Sequence, residues 1–103
     1  MTKTKTSREA QRLFETMKAN IQERLKTLGV SPYRASHYSG HNGTWISDCF
    51  RRSSGVTLSW LADVSEVLNI PAHELIKPTK AFKAELKAGF YEPPRWMKNL
   101  PSI

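Results

Sequence analysis

The side chains with most chemistry to offer in this 103-residue chain are three histidines, one cysteine and a few well-placed arginines. His37 and His41 stand at i,i+4, the spacing of metal ligands on a helix. Gly40 falls between them and ends the helix there, so the two rings are expected to diverge, and no Cys, Asp or Glu cluster completes a site. No metal and no cofactor are expected. His73 reads as a surface residue, and Cys49, without a disulfide partner, as a small hydrophobe on an apolar helix face. There is no Gly-x-Ser-x-Gly elbow, no phosphate-binding glycine loop and no pair of carboxylates set for acid–base work. The chain is therefore expected not to be an enzyme. What remains is anion chemistry. Arg34, Arg51 and Arg52 carry guanidinium groups that match phosphate geometry. Ser31 and Tyr33 lie at a helix N-terminus, where backbone N–H groups also favour a phosphate. The alternative for each arginine is a solvated surface charge.

These residues sit in Val30–Arg52, which reads as two short helices joined by a tight turn. Ser31 can cap the first, with Pro32 in its first turn, where a missing N–H costs nothing. Gly40 suits a left-handed turn. Asn42 can cap the second helix, whose apolar face carries Ile46 and Cys49. The helices are expected over about Pro32–Ser39 and Gly43–Arg51, with Ala35, Ser36 and Ser39 as small inward positions that permit a close crossing. A helix, a turn of about 3–4 residues containing glycine and a second helix form the helix-turn-helix pattern, whose second helix enters the DNA major groove.

Charge agrees with an anionic partner, and its distribution is informative. The net charge is +7 and the pI about 9.9. Residues 1–30 and 77–103 each carry +4, whereas 31–76 carry −1. The positive charge is on the flanks, where it serves phosphate contacts or plain solubility. The 39% apolar content supports a modest single core. No apolar run approaches the roughly 20 residues needed to cross a bilayer, and the N-terminus lacks the apolar stretch of a signal peptide. A cytoplasmic protein is expected.

Residues 1–6 read as a flexible basic arm. From Ser7 to Gly29, apolar residues recur at Ala10, Leu13, Phe14, Met17, Ile21, Leu25 and Leu28, one stripe of a long first helix. Its polar face is expected to hold Arg12, Glu15, Lys18, Glu23, Arg24 and Lys26, and the part before Met17 is free to bend away. Ser53, Ser54 and Gly55 form a loop. Thr57 caps a fourth helix with Leu58, Leu61, Val64, Ser65 and Leu68 on one face, ended by Asn69. Ala72–Ile76 is a short fifth helix that faces Leu75 and Ile76 inward. Lys80–Ala88 makes a further helix with Phe82 and Leu86 paired at i,i+4. Pro93 and Pro94 forbid a regular helix in the aromatic tail, which is expected to dock on its own domain or on a neighbouring subunit.

Five helices in this order over Asn20–Ile76 resemble the lambda-repressor/Cro-like (Xre-type) helix-turn-helix family. The residues that carry the resemblance are Ile21 and Leu25, Ser31, Gly40, Ile46 and Cys49, then Leu58-x-x-Leu61-x-x-Val64-x-x-x-Leu68-Asn69-Ile70 before Glu74-Leu75. Ser36 stands for the usual alanine and Ser39 for a larger aliphatic, which suggests a small-residue variant of the same packing. Pro32 stands for a glutamine that commonly clamps a phosphate, leaving that contact without its usual donor. The resemblance implies an all-α, five-helix DNA-binding domain over residues 7–78, with an extended first helix and an aromatic extension at 79–103. It implies a bacterial or phage transcriptional regulator. Its base-facing positions correspond to Asn42, Gly43, Thr44, Ser47 and Asp48.

By chemistry, Asn42 could read adenine, Thr44 a thymine methyl and Asp48 cytosine N4, while Gly43 lets the backbone approach DNA. Asn42 as a mere helix cap and Asp48 paired with Arg51 or Arg52 are the structural alternatives. Trp45, beside Ile46, is expected in packing rather than base stacking. Trp60 and Val67 make an apolar stripe off the main face of the fourth helix, to be covered by a symmetric homodimer or by the tail. The dimer candidates are Trp60, Val67, Phe82, Leu86, Phe90 and Trp96. The expected function is sequence-specific duplex binding at an operator, by occlusion of a promoter or contact with polymerase. The alternatives are an antitoxin whose tail holds a toxin, and a protein-interaction module without DNA binding, which the −1 centre and Gly43 make thinkable.

Overall fold

The computed structural model of the chain describes residues 7–52 and 55–101. The expected basic arm at 1–6 and the serines of the Ser53–Ser54 loop lie outside the described residues. Among the described residues six α-helices follow one another: α1 (Arg8–Leu28), α2 (Pro32–Tyr38), α3 (Trp45–Phe50), α4 (Leu58–Leu68), α5 (Ala72–Leu75) and α6 (Thr79–Lys87). A 3-10 helix, Arg95–Asn99, follows α6. Among the described residues there is no strand, so the fold is all-α.

The local signals act where the sequence places them. Ser7 Oγ accepts from the Ala10 N–H at 3.0 Å and starts α1. Gly29, at φ 73°, ends it by donating to Leu25 O. The 21 residues of α1 run unbroken for about 31 Å, without a bend before Met17. Phe14, Met17, Ile21 and Leu25 form its buried stripe. Thr57 caps α4 through the Trp60 N–H, and Asn69 takes the left-handed position at φ 57°. Phe82 and Leu86 of α6 are buried in the same cluster, so residues 79–88 belong to the one core.

Two expectations change. Arg24 is not on a polar face; it is 3% exposed, beside fully buried Asn20. The ends of α4 and α5 abut α1, and their last carbonyls need donors. Asn20 Nδ2 donates to Leu75 O and Lys77 O, both at 2.9 Å. Arg24 Nε donates to Leu68 O at 3.1 Å and Nη2 to Glu92 O at 2.8 Å. Burial pushes the Arg24 guanidinium pKa down, partly countered by Tyr91, over whose ring it lies at 5.8 Å.

The second change is the orientation of α4. Leu58, expected inside, is 83% exposed, while Val67, expected off the face, is buried with Val64 and Leu68. At 100° per residue the true buried arc centres near Val64 and is turned by about 60° from the expected one. The tail accounts for the turn, because it covers the Val67 side. Trp96 Nε1 donates to Val67 O at 2.7 Å, and Asn69 Nδ2 and Arg24 both donate to Glu92 O. The tail thus docks on its own chain.

Candidate nucleic-acid interface

One buried hydroxyl bridges α2 and α3, beside the Ala35, Ile46 and Cys49 side chains of the core. Ser36, fully buried, donates from Oγ to Pro32 O at 2.8 Å and accepts there from the Ile46 N–H at 3.0 Å. Ala35 is buried beside it, so the two helices approach closely. Ser31 Oγ caps α2 by accepting from the Arg34 N–H at 3.1 Å. In the turn, Ser39 Oγ donates to Ser36 O, Gly40 sits at φ 94°, and the His41 N–H returns to Ser36 O at 2.9 Å.

The start of α3 differs from expectation. The helix begins at Trp45 rather than Gly43, and Asn42 is not its cap. Asn42 Oδ1 accepts from the Thr44 N–H at 3.0 Å, so the side chain bonds the backbone two residues on and makes a turn before the helix. Thr44 takes the N-cap position without a side-chain cap bond. Gly43 has a local reason: a Cβ there would meet Tyr33 Cε2 at 2.6 Å. The bare backbone lets the Tyr33 ring lie over the entrance to α3.

Along the outer edge the polar groups bond to one another. The Thr44 hydroxyl lies 2.9 Å from Asn42 Oδ1 and 3.3 Å from Asp48 Oδ2. Asp48 forms an ion pair with Arg51. Ser47, half-buried, donates to Thr44 O at 3.2 Å. Asn42, Thr44, Asp48, Arg51 and Arg52 are exposed, and Arg34 is half-buried at the α2 end. Among the described residues the Arg52 guanidinium reaches only the Gly55 carbonyl, at 3.5 Å. The Asp48–Arg51 pair is open to water on both sides, so it holds weakly and Arg51 can exchange Asp48 for a phosphate.

Aromatic rings line the flanks. Tyr33 stacks on His37 at 5.8 Å, and His41 lies flat on Trp45 at 3.7 Å. The two histidines thus have different partners. Trp45, half-buried, also tilts against Trp60 at 5.3 Å. Among the described residues no group of three His, Cys, Asp or Glu could hold a metal ion. Burial raises the Cys49 thiol to about 11, which leaves it protonated and unreactive.

The dimer candidates fare differently from one another. Val67, Phe82 and Leu86 are buried in the chain's own core and present nothing to a second copy. Trp60 and Trp96 are half-buried, the latter by its bond to Val67. Phe90 is 67% exposed.

A polar cluster that sequence reasoning missed fixes the tail. Lys77 Nζ donates to Glu74 Oε1 at 2.7 Å and to Glu85 Oε2 at 2.5 Å. The Tyr91 hydroxyl lies 2.7 Å from Glu74 Oε1 and 2.6 Å from Glu85 Oε1. The Lys77 and then the Tyr91 hydrogen bonds lower Glu74 to about 2. Burial and the two carboxylates raise Tyr91, and the same carboxylates raise Lys77. The i,i+3 spacing of Glu74 and Lys77 was a signal; nothing in the sequence tied Tyr91 to them.

The class defined at this point is an all-α domain with an exposed polar edge at the start of its third helix. Compared with protein-family models, with curated proteins and with solved structures, the chain finds no match.

Proposed function

We propose that the chain is a sequence-specific double-stranded DNA-binding regulator of transcription, of the lambda-repressor/Cro-like kind. The observation that carries the reading is the α2–turn–α3 unit, held by the Ser36 hydroxyl and presenting Asn42, Thr44, Ser47 and Asp48 along one edge. Asn42, Thr44 and Asp48 offer donors and acceptors to base edges. Arg34, Arg51, Arg52 and Tyr33 flank them for phosphates, which position the protein without reading sequence. Ser31, used as a cap, leaves its backbone rather than its side chain for that role.

A second reading has one observation in its favour. The Asp48–Arg51 pair offsets one of the cations at the α3 edge and leaves Arg52 as its exposed charge, a weakly charged surface such as a protein-binding module would have. Selection of bound fragments from random duplexes separates the two. A recovered common site supports DNA reading, and its symmetry tells how many copies bind. No enrichment over input favours the protein partner.

A further inference from the structure

The α6 helix has two different flanks. Phe82 and Leu86 face the core, and Glu85 is turned to Lys77 and Tyr91. On the other flank Lys80, Lys83 and Lys87 are all exposed, at i, i+3 and i+7. With Glu23 and Thr27 of α1 they line a cleft of about 450 Å³. Its one acid, Glu23, lies 3.7 Å from Lys26 Nζ. Among the described residues none of the three lysines has a carboxylate within ion-pair distance. Like charges at this spacing repel by a few tenths of a kcal/mol per pair. A surface shaped only for solubility intersperses both signs. Here the nearby acids are engaged elsewhere, and a row of one sign is left.

We propose that Lys80, Lys83 and Lys87 form a second anion surface that takes the phosphodiester backbone of nucleic acid, apart from the α3 edge. This rests on the DNA-binding reading above. The row spans about 10 Å along the helix axis, which covers about three phosphate steps of one strand at an axial rise of about 3.4 Å each. Ala84 lies between the lysines in the cleft and lets a backbone come close. Lysine, a point charge on a flexible stem, suits contacts that follow a backbone without reading bases.

The test is the triple variant K80Q/K83Q/K87Q, on a mixed-sequence duplex longer than the 55 Å long axis of the domain. All three side chains are exposed, and an unchanged thermal melt checks that the fold is kept. Each released phosphate contact contributes about 0.9 to the slope of log affinity against log salt. The variant is expected to lose about 2–3 from that slope. Between about 50 and about 200 mM salt, native binding then falls about 40-fold more than variant binding. An unchanged slope with duplex binding intact overturns the proposal and leaves the α3 reading standing. Equal losses of binding to polyglutamate and to duplex overturn the phosphodiester partner in favour of an acidic protein. Absence of duplex binding by the native chain overturns both this proposal and the reading beneath it.

Discussion

Ser36 replaces an alanine expected from the family resemblance, and its hydroxyl gives the reason. It closes a bond within α2 and accepts the first buried N–H of α3. Ser36→Ala leaves the Ile46 N–H without that partner in a fully buried setting. The variant is expected to lose about 1–3 kcal/mol, read as a shift in the denaturant midpoint at unchanged slope. A neutral result would mean that α3 re-forms its first turn around another acceptor. Small residues at 35 and 36 were legible as a close crossing. The hydroxyl's second bond was not, because it joins residues ten apart through a turn of particular shape. Asn42 shows the same limit: its residue type signalled a capping side chain, and the backbone used that side chain for a turn instead.

Between helices, the order and most of the ends were readable from local chemistry, the start of α3 excepted. Ser7, Ser31 and Thr57 cap helices as their types predict, and Gly29 and Asn69 end them. What periodicity missed is rotation about an axis. Leu58, Leu61, Val64 and Leu68 make a plausible stripe, yet the tail's cover on Val67 turns α4 about that axis. Leu58→Ser is expected to change stability by no more than about 0.5 kcal/mol, whereas Leu68→Ala costs about 2–5 kcal/mol. Chemical denaturation of both variants checks the orientation, and a costly Leu58→Ser would reverse it. Arg24 was mislaid for a related reason. Its angle on α1 falls beside Met17 and Asn20, within the apolar arc, so position should have outweighed charge. The carbonyls it serves belong to α4 and the tail, which no local pattern reports.

The molecule as a whole is a helical domain tied shut by its own C-terminal segment, and that tie responds to pH. Glu74 has a folded pKa of about 2, below its value in the unfolded chain, so its stabilising effect is present above about pH 4.5. It is lost as pH falls from there toward 2. Tyr91 and Lys77 are raised, so their contribution is full below about pH 10 and lost as pH rises further. The melting temperature is expected to fall on both sides, and Glu74→Gln should flatten the acid limb; an acid limb unchanged by that variant would remove Glu74 from the tie. Because the tail already covers Val67, self-association would have to use what stays open, chiefly Leu58, Phe90 and the half-buried Trp60. On the proposed reading the exposed edge at the start of α3 reads bases. Thr44 makes no side-chain cap bond and its hydroxyl bonds only the exposed Asn42 and Asp48 side chains, so its removal should spare the fold. Titrating the native chain and Thr44→Ala against the selected duplex and a scrambled one is the decisive experiment. A loss of about 1–3 kcal/mol on the selected site, with little change on the scrambled one, is expected. Equal losses on both, or a native chain that does not prefer its selected site, would contradict it.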